Sequence, residues 1–116
     1  MLAVSGSNAQ DKNFHIYLCL GQSNMEGAAK PELRDSLGIS NRFRVLAAVD
    51  CDNRGRKMGN WYKAVPPLTR CYTGLGPADY FGRTMVENLP ERVKVGIINV
   101  SVGGCKIELF DEDSCA

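Results

Sequence analysis

Val93-Lys94-Val95-Gly96-Ile97-Ile98-Asn99-Val100-Ser101-Val102 is the most strand-like stretch of the chain, and its reading decides the fold. β-Branched residues dominate it, and Gly103-Gly104 close it. A strand so apolar along its whole length calls for neighbours on both sides, as in a parallel sheet. Just upstream, Gly76-Pro77 opens a helix with proline at the first turn, where a missing N–H costs nothing. Ala78, Phe81, Met85 and Leu89 then fall on one stripe, Asp79 lies near the positive end of the dipole, and Pro90 stops the helix. Further upstream, Phe14-His15-Ile16-Tyr17-Leu18-Cys19-Leu20 reads as a strand buried on both faces that stops at Gly21. Residues 42–49 read as another strand. Strand, helix, strand is a βαβ unit, so the class is α/β with a mainly parallel sheet.

The remaining stretch, Asp50 to Gly76, is rich in glycine, proline and basic residues and reads as a long loop, a kind of segment that is often functional. Arg54, Arg56, Lys57, Trp61, Tyr62, Lys63, Arg70 and Tyr72 would let it line a sugar cleft, with the aromatics stacking on pyranose faces; a solvated loop with one anchoring aromatic explains them equally well. Residues 1–12 read as a signal-peptide remnant or a disordered leader outside the fold.

With 116 residues the chain has room for one small domain. Its net charge of +1 argues against binding nucleic acid or a membrane surface through bulk charge, and no apolar run is long enough to span a bilayer. Five cysteines without a C-x-x-C pair, beside one histidine, do not make a zinc site. Cys19 reads as a small buried hydrophobe. Cys51 and Cys71 could pair in an exported protein, a connectivity that spacing leaves open. One helix for about three strands is too little to cover both faces of a sheet, so the expected architecture is a three-layer α/β domain, truncated to its N-terminal part.

Two places carry candidate chemistry. Gly21-Gln22-Ser23-Asn24-Met25 follows a buried strand directly, and ligands of open α/β sheets sit at the carboxyl ends of their strands. Ser23 is therefore placed as an exposed nucleophile would be, with N–H groups of a following helix available to an oxyanion. Ser23 or Asn24 would equally serve as the cap of a helix beginning near Met25. Gly103-Gly104, after the strongest strand, let backbone approach a ligand closely, although an ordinary turn would use them too. Neither glycine cluster has a phosphate-loop spacing.

The run from Ile16 through Gly21-Gln22-Ser23-Asn24-Met25-Glu26-Gly27 resembles the first motif block of the SGNH-hydrolase superfamily. More narrowly, it is similar to the sialate O-acetylesterase and acetylxylan esterase-like carbohydrate esterases. Gly74-Leu75-Gly76-Pro77-Ala78 and Val95 to Glu108, with Val102-Gly103-Gly104, match the same family in order, so the likeness covers about residues 14–113. It implies an SGNH, flavodoxin-like architecture and a serine esterase that removes O-acetyl groups from carbohydrates through an acetyl-enzyme. Ser23 would be the nucleophile. The backbone N–H groups of Ser23 and Gly104 would form the oxyanion hole, and Gln22, Asn24 and Gly103 would position the loop and substrate. No cofactor or metal is required, and a sugar-polymer substrate implies a secreted or periplasmic protein.

The departures matter as much. The family's Q-G-E block, which completes the oxyanion hole, and its late D-x-x-H, which supplies the base, do not occur in these 116 residues. His15, at the start of its strand, is too far from Ser23 to replace the base and reads as structural. The isolated chain is therefore expected to be inactive, its base coming from a missing C-terminal half. The competing reading is a non-catalytic carbohydrate-binding or pseudoenzyme fragment.

Overall fold

The computed structural model describes residues 11–104. Strand β1 (Phe14–Cys19) leads into a single helical turn, α1 (Ser23–Glu26). After a 3₁₀ turn at Leu33–Ser36 come β2 (Phe43–Leu46), a second 3₁₀ turn at Asp52–Arg54 and β3 (Trp61–Lys63). Helix α2 (Pro77–Glu87) and β4 (Lys94–Asn99) follow. The sheet order is β1-β4-β2-β3; β4 runs parallel to both β1 and β2, while β3 is antiparallel to β2. The chain is thus a small α/β unit on a four-stranded mixed sheet. The most apolar strand sits centrally, with Val95 and Ile97 fully buried.

Parallel register sets the faces. His15, Val95 and Phe43 share one row, Tyr17, Ile97 and Val45 another, and α2 packs on this side. Ala78 and Val86 of α2 join Phe43, Val45, Val95 and Ile97 in the core. The apolar stripe expected at Ala78, Phe81, Met85 and Leu89 holds for Ala78, which is buried, and for Met85 and Leu89, which pack half-buried against the core, and fails at Phe81. The buried residues are Ala78, Asp79, Gly82 and Val86, while Phe81 is exposed and meets Tyr17 edge-on at 5.1 Å. Gly82 causes this, because a Cβ there would run into the Phe43 ring, so the helix seats its smallest residue on the largest core side chain. Arg42 fixes the far end of α2, donating to the carbonyls of Val86 (2.8 Å), Pro90 (2.7 Å) and Val93 (2.9 Å).

Burial of β1 on both faces is likewise corrected. Ile16 and Leu18 are exposed, because β1 lies at the sheet edge and no helix among the described residues covers that face. On the same face Gly96 leaves room for Phe14 and Trp61 to meet across β4 at 4.9 Å between ring centroids.

The long loop is more ordered than its composition implies. It contains β3, whose Trp61 and Tyr62 pair with Leu46 and Val45. Tyr62 Oη accepts the Lys57 N–H (2.8 Å), and Arg56 is buried, donating to the carbonyls of Pro67 (2.5 Å) and Val65 (2.6 Å). A disulfide joins Cys51 to Cys71, the pairing that spacing left open. Cys19 is a free, buried thiol whose pKa burial raises, as a core residue. Cys105 and Cys115, and most of the expected leader, lie outside the described residues.

Candidate active site

The carboxyl ends of β1 and β4 meet here. Their pairing continues beyond the strands: Val100 N–H donates to Cys19 O (3.1 Å) and Val102 N–H to Gly21 O (3.2 Å). The backbone thereby carries Gly103-Gly104 alongside Gly21-Gln22-Ser23. Ser23 is exposed and is the first residue of α1, not its cap. Gln22 holds the cap position without a side-chain bond, its carbonyl accepting the Glu26 N–H (2.8 Å). Asn24 is exposed on the second position of the turn. One turn of helix aligns few peptide dipoles, so any anion-holding power here comes from individual N–H groups.

Gly103 lies against the serine. A Cβ built on it would sit 3.8 Å from Ser23 Cβ and 3.0 Å from Glu26 Oε1. Gly104 has φ +78°, a left-handed conformation suited to glycine, and among the described residues nothing beyond its chain neighbours would touch a Cβ there.

Beneath Ser23 is a polar network in which sequence reasoning assigned no role to Glu26 and placed Arg70 in a sugar cleft. Glu26 is buried; its Oε1 accepts the Gly103 N–H (3.1 Å) and its Oε2 pairs with Arg70 Nη1 (2.9 Å). Thr69 Oγ1 donates to Glu26 O (2.6 Å), and Asn99 Nδ2 donates to Met25 O (2.9 Å). Three segments distant in sequence are thus tied to α1. The usable signal was an acid inside the serine turn, followed by a glycine that is buried in close packing. A Cβ on Gly27 would strike Gly74 O, and Gly74 N–H donates to Gly27 O (2.7 Å).

Trp61 and Tyr62, the aromatics expected to stack on a sugar, lie on β3, at the sheet edge opposite β1. Trp61 lines a depression of about 410 Å³ with Phe14, Asn41, Arg44 and Lys94, and Phe14 and Lys94 begin their strands at the end opposite Ser23. His15 is the second residue of β1, also at that far end. Among the described residues no cluster of metal-binding side chains occurs, and no helix is long and apolar enough to cross a membrane.

This geometry can be set beside known proteins. The family described as carbohydrate esterase, sialic acid-specific acetylesterase, matches residues 13–115. The chain belongs to this carbohydrate esterase family. Among solved structures, an Arabidopsis thaliana protein superposes with a TM-score of 0.66 at 21% identity, which shows a shared fold. The match covers 89% of this chain and 46% of that protein, so this acetylesterase-family chain spans about half the length of its structural neighbour.

Proposed function

We propose that the chain is the nucleophile-bearing part of a carbohydrate O-acetylesterase. The carrying observation is Ser23, exposed at the end of β1 and side by side with the glycine turn that follows β4. In this reading Ser23 Oγ attacks the acetyl carbonyl, expels the sugar hydroxyl and leaves an acetyl-serine that water hydrolyses. The N–H groups of Ser23 and Gly104 receive the oxyanion, and Gln22, Asn24 and Gly103 hold the loop and substrate. A serine hydroxyl is a weak nucleophile without a base. The only histidine is His15, at the other end of β1, so the base and its orienting acid come from outside these 116 residues. The same missing part would add the third layer over the bare face of the sheet. An acetylated polysaccharide substrate and the Cys51–Cys71 disulfide both favour an exported protein.

Chemical rescue tests this. Hydrolysis of p-nitrophenyl acetate and of acetylated saccharides is measured for the chain and its Ser23→Ala variant, with and without imidazole as an external base. The expected result is an imidazole-supported rate that disappears in Ser23→Ala. A rate indifferent to Ser23 refutes the assignment and favours a non-catalytic carbohydrate-binding role.

A further inference from the structure

The turn after β4 has little of its own to hold it in place. Gly103 and Gly104 carry no side chains, and among the described residues no atom beyond the chain neighbours lies within 4 Å of where a Gly104 Cβ would stand. Among the described residues the side-chain hydrogen bond at this turn is the one that the Gly103 N–H donates to Glu26 Oε1. Glu26 is 9% exposed, and the pairing of its Oε2 with Arg70 leaves each carboxylate oxygen with one partner. Taking a carboxylate out of water is costly, and an apolar side chain would pack here at less expense. What the carboxylate adds is direction, because it connects a charged clamp to one backbone N–H beside Ser23.

Resting on the hydrolase reading above, we infer that Glu26, gripped by Arg70, is a positioning residue that holds the Gly103-Gly104 turn against the nucleophile. The Gly103 N–H is engaged by Glu26, so within this turn the Gly104 N–H is the donor without a partner among the described residues. Glu26 therefore sets where the oxyanion donor stands without touching substrate. Gly103 gives this contact its room, since a Cβ would sit 3.0 Å from Glu26 Oε1 and press the carboxylate back by a few tenths of an ångström. Arg70 fixes the rotamer of Glu26 from the opposite side, and Thr69 holds the backbone of the same residue through its hydroxyl.

The test combines a structural and a kinetic readout on the 116-residue chain. Amide chemical shift and hydrogen exchange of Gly103 are followed by NMR in wild type, Glu26→Ala, Glu26→Gln, Arg70→Ala and Arg70→Lys. The Ser23-dependent, imidazole-supported rate is measured on the same proteins. Glu26→Ala should unprotect the Gly103 N–H and lower kcat by about 10²-fold with KM nearly unchanged, the cost of a donor displaced by about 1 Å. Glu26→Gln keeps an acceptor for Gly103 but turns an amide N–H₂ toward Arg70, so its loss should be intermediate. Arg70→Lys should restore most of what Arg70→Ala loses, which a loss of packing alone would not do.

A Gly103 amide unchanged in Glu26→Ala overturns the clamp, whatever the rates. A kcat unaffected by Glu26→Ala, in a protein whose rate does require Ser23, overturns its role in positioning. If Gly103 is released as expected but no rate depends on Ser23, the hydrolase reading fails instead, and the catalytic purpose of the clamp fails with it.

Discussion

Asp79 occupies the third position of α2, where a carboxylate normally gains from the helix dipole. Its Oδ2 does accept the Gly76 N–H (2.8 Å), but the residue is 3% exposed and Oδ1 has no partner. Burial wins, pushing the pKa up from 3.8 to about 6. The folded protein therefore binds a proton more readily than the unfolded chain. The contribution of Asp79 to stability is greatest below pH about 4, falls as pH rises toward about 6 and levels off above it. A displacement of that size corresponds to roughly 3 kcal/mol across the window. Asp35 acts lower on the scale: its carboxylate accepts the Tyr80 hydroxyl and the Glu32 N–H, which lower its pKa below 3.8. Its contribution is present above pH about 4 and is lost only below it, outside the Asp79 window. Asp79→Asn keeps an acceptor for Gly76 and removes the titration. Urea unfolding followed by Trp61 fluorescence, from pH about 4 to about 7, should show wild type losing up to about 3 kcal/mol where Asp79→Asn stays nearly flat. Parallel slopes for the two proteins would refute the argument, showing that the carboxyl is solvated in the folded state.

Three further outcomes follow from the packing. Arg42→Ala removes three bonds from a charged donor, but the carbonyls of Val86 and Pro90 keep backbone N–H partners, so the cost should be that of one or two such bonds, about 3 kcal/mol by urea midpoint. Gly82→Ala improves helix propensity by up to about 1 kcal/mol, yet its methyl would meet Phe43, 2.9 Å from Cδ1 and nearer still to Cε1 and Cζ. Because Phe43 is 1% exposed the ring has no room to yield, so calorimetry should record a net loss of about 1–3 kcal/mol. Replacing Cys51 and Cys71 by serine opens a loop closed over a separation of 20 residues and should lower stability by about 3 kcal/mol, read against the oxidised protein without reductant.

Much of this fold is legible because its central elements state their burial locally. The run around Val95 and Ile97, and the proline-opened helix before it, need little context to be recognised. β3 is different: Trp61-Tyr62-Lys63 is too short to show a period, and only pairing with β2 makes it a strand. The stripe read on α2 left out Gly82, which carries no hydropathy, although Gly82 is what brings the helix onto Phe43. The apolarity of β1 was visible, but whether a neighbour covers it is not a property of the strand. At the candidate site, the serine turn and the glycine turn stood out by position after strands. Glu26 did not, because an acid in a polar turn looks solvated until Arg70, 44 residues on, and Gly103, 77 residues on, are folded against it.

The contact of Gly27 with Gly74 bears on how this site tolerates change. Their backbones touch, so a side chain at either position would drive into the other segment: the Gly27 Cβ into Gly74 O, the Gly74 Cβ into Ala29 O. Neither can be rescued by repacking, because the obstacle is main chain. A saturation library would find both sites closed to all nineteen alternatives, while exposed Ala28, next to Gly27, accepts many. Variation around the serine turn must therefore enter at exposed positions, with this backbone contact held constant.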